Sequence, residues 1–321
     1  MFPATRMRRT RTTPRMRDLV AETRIDPSKL IMPVFVDENL KNIAPISSMP
    51  GIYTYPLEMV GKYLENLETK GVRNILLFGV PAHKDSSGSS AYDPNGIVQK
   101  TIMLAKEKTS LTVITDLCLC EYTDHGHCGI VDKSTINNDQ TLDVYDRIAL
   151  SYAASGSDII APSGMMDGQV GSIRKALDQS GFNNISILAY SAKYSSNLFG
   201  PFREAVKSAP GFGDRKTYQM DWRNSREAMR EIDLDIKEGA DMIMVKPAVF
   251  YLDVISEARR RFDLPLAAYS VSGEYSMIKK AILDGYMNEN IILESMTAVF
   301  RAGADMLITY FAEWFMENVE Q

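Results

Sequence analysis

At 321 residues the chain is long enough for one α/β barrel with an extension, and it needs no disulfide staples to hold a core of that size. Its 45% hydrophobic and 24% charged residues are ordinary for a globular protein, and no stretch approaches the ~20 apolar residues of a membrane span. The net charge of −5 argues against a general nucleic-acid binder.

The first 17 residues break that balance, with Arg6, Arg8, Arg9, Arg11, Arg15 and Arg17. No apolar segment follows them, which argues against a secretory signal. A mitochondrial presequence shares the composition, but a basic arm lying on an acidic neighbouring subunit is the plainer reading. The chain therefore divides into an N-terminal extended arm, residues 1–24, and a catalytic domain, residues 25–321. All three cysteines fall in one short segment, at Cys118, Cys120 and Cys128. An odd number, so closely spaced, points to a metal or catalytic role in a reducing, cytoplasmic compartment.

Along the catalytic domain, eight short apolar runs predict strands: Leu30–Val36, Asn74–Val80, Thr112–Cys118, Asp158–Ser163, Ser186–Ser191, Met242–Pro247, Pro265–Val271 and Met306–Phe311. Most are continuous rather than alternating, as in strands covered on both faces of a parallel sheet, and helix-length segments separate them. The fold class is thus α/β, a (β/α)8 barrel. A doubly wound open sheet is the main rival, weakened because no Gly-rich phosphate fingerprint follows the first strand.

A weak repeat supports the barrel. ASGSDIIAPS (154–163), KEGADMIMVK (237–246) and RAGADMLITY (301–310) each place a Gly to stop a helix, then an Asp, then an apolar strand. Before the second copy, Asn224 and Glu227 form a capping-box pattern, and Ala228, Ile232 and Ile236 share one helical face. The tenth positions are Ser163, Lys246 and Tyr310, which puts three polar groups at carboxyl ends of strands, the rim where barrel chemistry sits.

Lys246 ends the apolar run Met-Ile-Met-Val, and Lys193 follows the fifth strand. Burial favours the neutral amine, and a second ammonium nearby favours it further. To be half neutral near pH 7, a lysine must fall from ~10.4 by roughly 4 kcal/mol of differential interaction. The free amine is then a carbonyl nucleophile that forms a Schiff base. Either lysine alone fits a solvent-reaching or ion-paired role equally well. Both at strand ends of one barrel are much harder to obtain by accident.

The segment DLCLCEYTDHGHCG (116–129) follows the third strand. Three thiolates suit zinc and leave a fourth position open, the layout of a catalytic rather than a closed structural site. His125 and His127 lie in the same loop as further ligands or supporting donors. Asp116, at the strand end, is placed to orient or deprotonate a substrate amine, although a turn cap fits it as well. After Lys193, a Gly- and Pro-rich stretch with Arg203, Arg215 and Lys216 reads as a lid that brings cations onto an acidic substrate. Ser272, in SVSGEYS, ends the seventh strand.

These motifs, with APSGMMDG, GPFREA, GDRKTYQM, MVKPA, YLDVI, VSGEYSM and RAGADMLITYF, make the chain resemble the porphobilinogen synthase (5-aminolevulinate dehydratase) family over essentially its whole length. The resemblance implies condensation of two 5-aminolevulinate molecules to porphobilinogen, with loss of two waters, in tetrapyrrole and heme biosynthesis. It implies Schiff bases on Lys246, for the substrate giving the propionate side, and on Lys193, for the acetate side. Substrate binding would fall to Ser272 and Tyr310 for the first and to Arg203, Arg215 and Gln219 for the second, with Ser163 at the same rim. Cys118, Cys120 and Cys128 would carry zinc, and Glu231 would hold an allosteric magnesium, although by itself it reads as a solvated helix acid. The family also implies a homo-octamer whose arm embraces a neighbouring barrel.

Three departures from the family pattern stand out: Asp221-Trp222 after TYQM, Gly164 where Asn or Asp is usual, and Leu198-Phe199 before GPFR. Two other functions compete. A class I aldolase needs one lysine and no zinc, and a zinc storage or interaction protein would form no covalent adduct with substrate.

Overall fold

The computed structural model describes residues 1–319. The eight runs form the parallel strands β1 (Leu30–Asp37), β2 (Asn74–Val80), β3 (Thr112–Leu117), β4 (Ile159–Pro162), β5 (Ser186–Lys193), β6 (Met242–Lys246), β7 (Leu266–Tyr269) and β8 (Met306–Ile308). Each pairs with the next, and β8 returns to β1 with Leu307 opposite Leu30, so the sheet closes. The barrel prevails over the open sheet, and the continuous apolar runs have their expected cause. Every residue of β1, for example, is buried, between the barrel interior and the outer helices. Lys193 belongs to β5 as its last residue rather than following it.

The repeat marks a recurring tie at the amino ends of the strands. Gly156, Gly239 and Gly303 take φ of +100°, +103° and +119°, the left-handed stop that only glycine adopts cheaply. Each following Asp then reaches the preceding strand. Asp158 accepts from the Val113 N–H at 2.8 Å, Asp241 from the Ile187 N–H at 2.7 Å, and Asp305 from the Leu266 N–H at 2.8 Å. The same three residues donate their own N–H groups to Val113, Ile187 and Leu266. Between β1 and β2 an amide does the equivalent, Asn74 donating to the carbonyls of Ser28 and Leu30.

One expectation about a helix start is corrected. Asn224 does not cap the backbone: its side chain donates to the Glu227 carboxylate at 2.8 Å, and the helix runs Arg226–Glu238. The short polar pair satisfies itself instead of the orphan N–H groups. The predicted face is correct, with Ala228 and Ile232 buried and Ile236 packed against the core. Residues 1–22 are all exposed, although Met7–Arg11 and Pro14–Leu19 are helical. Among the described residues, no helix is long and apolar enough to cross a membrane.

The Asp tie yields a stability test. Asp305 also pairs with Arg259 at 2.7 Å, so Asp305→Ala removes two charge-assisted contacts and should cost about 1.5–3 kcal/mol of unfolding free energy in a urea titration. An unchanged midpoint would contradict the tie.

Candidate active site and metal centre

At the carboxyl rim, β5 and β6 set Lys193 directly opposite Lys246. The pairing is irregular: Ile243 faces Ala189 but Val245 faces Ala192, so β5 carries one extra residue between the matched pairs. Such a bulge re-aims a side chain. Here it turns Lys193 to the same side as Lys246, and each is only 5% exposed. Both amines lie over the Tyr190 ring, at 5.5 and 5.0 Å from its centroid.

Lys246 is further enclosed by Tyr269 at 4.2 Å and by Phe199 and Phe202 of the lid at 5.3 and 5.4 Å. Burial, reinforced by the Lys193 charge, pulls its pKa down to about 7. A fall from 10.5 to about 7 amounts to roughly 5 kcal/mol, while ring faces favour an ammonium by about 0.5–2 kcal/mol. Desolvation therefore wins, and much of Lys246 is neutral near pH 7.

Lys193 donates to the backbone carbonyl of Ser163, and the Ser163 hydroxyl donates to Asp116 at 3.1 Å. Burial raises the Asp116 carboxyl above its ordinary range, against the pull of both lysines. The three predicted residues thus form one chain, Asp116 to Ser163 to Lys193.

Beside them, the turn after β3 gathers the three cysteines. All are buried, with their sulfurs within 4.8 Å of one another, the one such ligand group among the described residues. Tetrahedral thiolates at ~2.3 Å from zinc stand roughly 3.8 Å apart, so the donor set fits a soft divalent ion. Contacts from Cys118 and Cys120 hold the Cys128 thiol well below its usual range, with Arg215 and Lys193 adding to the effect.

Neither histidine joins the group. His127 contacts the Tyr218 hydroxyl at 3.1 Å and the Phe212 carbonyl at 3.0 Å, and His125 faces the Ser86 carbonyl at 3.3 Å. The first of these ties the metal loop to the lid.

The lid is not wholly irregular. It contains Asn197–Phe199 and the short helix Gly200–Ala205, which carries Phe202 against Phe78 with ring centroids 5.0 Å apart. Arg215 is anchored by the carbonyls of Gly126 and Ser208 at 2.9 and 2.6 Å. Burial and the nearby Arg215 charge both pull the Arg203 pKa down. The Nε atoms of both arginines and both amide atoms of Gln219 are buried without partners, an arrangement suited to an incoming carboxylate.

Ser272, which opens the helix Ser272–Leu283 rather than ending β7, and Tyr310 are present at the rim but engaged. Ser272 accepts from the Phe202 N–H at 3.0 Å and donates to the Leu198 carbonyl at 3.3 Å, while Tyr310 shares a 3.1 Å contact with Tyr269. Glu231 lies apart from this constellation, in a cleft with Asp167, Asp221 and Glu227. Burial first, then Asp167 and Glu227, raises its carboxyl pKa.

Two contributors were not singled out from sequence. Tyr190 forms the floor beneath both amines. Glu274 is 1% exposed and accepts from the N–H groups of Val249 and Val271 at 2.6 and 2.7 Å and of Ala248 at 3.2 Å, tying the turn after Lys246 to the end of β7. An acid inside the otherwise small and apolar run VSGEYSM was the available signal for Glu274. Nothing in the local sequence marks Tyr190 as facing inward. Of the departures, Phe199 lines the Lys246 chamber, whereas nothing in the structure explains Trp222, which is 59% exposed.

A family model described as delta-aminolevulinic acid dehydratase matches residues 4–318. The delta-aminolevulinic acid dehydratase of Archaeoglobus fulgidus is 54% identical over 320 residues, covering 99% of each chain. That of Methanothermus sociabilis is 54% identical over 318 residues, again covering 99% of each. A solved structure of delta-aminolevulinic acid dehydratase (porphobilinogen synthase) from Toxoplasma gondii ME49, in complex with the reaction product porphobilinogen, aligns with a TM-score of 0.95. It shares 41% identity and covers 98% of this chain and 91% of that one. Full-length likeness in sequence and fold thus accompanies the paired lysines and the cysteine cluster, and the chain belongs to the delta-aminolevulinic acid dehydratase family.

Proposed function

We propose that this chain condenses two molecules of 5-aminolevulinate to porphobilinogen, with loss of two waters, in tetrapyrrole biosynthesis. The observation that carries the reading is the Lys193–Lys246 pair in one enclosed chamber. A neutral Lys246 amine attacks the ketone carbon of one substrate, and loss of water from the carbinolamine gives an imine. Lys193 does the same to the second substrate, so the two carbon skeletons are held side by side and their joining becomes intramolecular in effect.

Lys246 holds the substrate that supplies the propionate side, with Ser272 and Tyr310 taking its carboxylate once the lid contacts rearrange. Lys193 holds the acetate-side substrate, with Arg203, Arg215 and Gln219 on its carboxylate. Asp116, its carboxyl pKa raised by burial and its side chain held by Ser163, serves as the proton acceptor for the substrate amine. Cys118, Cys120 and Cys128 would hold zinc, which as a Lewis acid would polarise an oxygen or bind the amine of the second substrate. An aldolase reading accounts for one lysine only.

Assembly and regulation belong to the same proposal. The exposed arm, with six arginines in its first 17 residues, suits a homo-octamer in which it lies on a neighbouring barrel, and three unoxidised cysteines suit the cytoplasm. Glu231 is the magnesium ligand in this reading. Glu231→Ala should then abolish any gain in activity or in assembly size on adding magnesium, and a response equal to that of the parent would rule Glu231 out.

With zinc supplied, the protein should convert 5-aminolevulinate to a pyrrole that colours with Ehrlich's reagent, and no pyrrole would sink the reading. Since the neutral amine is the reactive form, imine formation at Lys246 should rise with pH up to about 7 and level off above it. Lys193→Met removes the neighbouring cation and should move that rise to higher pH, measured as the rate of borohydride trapping. A rise at the same pH in both proteins would contradict the coupling. Cys128→Ala should lower zinc content and pyrrole formation together, and full activity without metal would exclude a catalytic zinc.

A further inference from the structure

Tyr145 is completely buried on the helix Asn138–Ala154, and its hydroxyl donates to the carbonyl of Cys128 at 2.6 Å. Thr141 stands one turn earlier on the same face and is also completely buried. Its hydroxyl accepts from the Ile130 N–H at 2.9 Å. The helix therefore grips the backbone on both sides of Gly129, at the end of the loop that carries the third cysteine. Gly129 itself leaves no slack, since an added Cβ would meet Thr141 Oγ1 and Ile136 Cγ2, each at 2.7 Å.

On its other side, the Tyr145 hydroxyl fills the space above Gly164. A Cβ on Gly164 would lie 1.7 Å from that oxygen and 2.6 Å from the ring carbon bearing it, closer than the packing can relieve without expelling the phenol. The departure from the family pattern at Gly164 thus has a physical reason here: an Asn or Asp would need the volume that Tyr145 occupies. Gly164 directly follows Ser163, whose carbonyl accepts the Lys193 amine and whose hydroxyl holds Asp116. One phenol is wedged between the metal loop and the turn that supports a reactive lysine.

We propose that Tyr145 and Gly164 act as a matched pair in which the Tyr145 hydroxyl is a positioning residue for Cys128, fixing the third sulfur for the metal and coupling that loop to the Ser163 turn. The proposal rests on the cysteine trio being a zinc site. A hydrogen bond to the carbonyl of a ligand residue limits how far its Sγ can swing, and groups that orient ligands in this way typically contribute 10–100-fold in metal affinity.

The test is zinc affinity of the purified full-length chain, measured by competition with a chromophoric chelator. The thiolate-to-metal absorption of the cobalt-substituted protein gives a second readout. Tyr145→Phe keeps the ring and removes only the oxygen, so it should fold and should weaken zinc binding roughly tenfold, with an altered cobalt band. Gly164→Ala should weaken zinc at least as much in the parent, by displacing the hydroxyl, but cost less than twofold when introduced into Tyr145→Leu, where the space is free. That non-additivity is the signature of the pair. Tyr145→Phe with parental zinc affinity and cobalt spectrum would overturn the proposal, as would a Gly164→Ala effect of equal size in both backgrounds. Failure of the parent chain itself to bind zinc would instead count against the metal reading under the proposed function.

Discussion

Lys193 meets Lys246 because β5 carries one residue more than β6 between matched pairs, and the chemistry of the site depends on that register. With side chains alternating along a strand, an uninterrupted pairing would set Ala192 against Lys246 and turn Lys193 toward the outer helices. Two cations on neighbouring strands in a chamber walled by aromatic rings are electrostatically expensive. The cheapest response is for an amine to shed its proton, which turns a burial penalty into nucleophilicity. The energy that lowers the Lys246 pKa comes from the fold around it, where Tyr190, Tyr269 and the lid phenylalanines enclose the amine.

The rest of the rim holds that arrangement still. Glu274 bridges the turn after Lys246 to the end of β7, and Ser163 links Lys193 to Asp116. His127 and Arg215 tie the cysteine loop to the lid through direct hydrogen bonds. At the opposite end of the barrel, the Asp ties at Asp158, Asp241 and Asp305 fix the strand starts without touching the chemistry. Stability contacts therefore cluster at one end of the strands and function at the other, the division expected of this architecture.

Much of this was legible in the sequence because it is periodic or local. The eight apolar runs, the glycine stops and the cysteine spacing are short-range signals, and each became the element it suggested. What escaped depends on contacts between distant segments. The bulge in β5 leaves no mark in the segment ILAYSAK (187–193), since Ala189, Ser191 and Ala192 tolerate either face. Tyr190 became an active-site wall only once that register was set. The Asn224–Glu227 pattern misled because two polar side chains found each other before they found the helix backbone. The unusual Gly164 was visible as a departure, but its partner, Tyr145, lies 19 positions earlier (164 − 145) on another element.

The central claim is that both amines tether a substrate on one chain. Reducing the protein with borohydride in the presence of 5-aminolevulinate, then locating the modified peptides by mass, tests it directly. Stable adducts at both Lys193 and Lys246 are predicted, each lost in the corresponding Lys→Met variant. An adduct confined to one lysine under saturating substrate, with pyrrole still produced, would contradict the account.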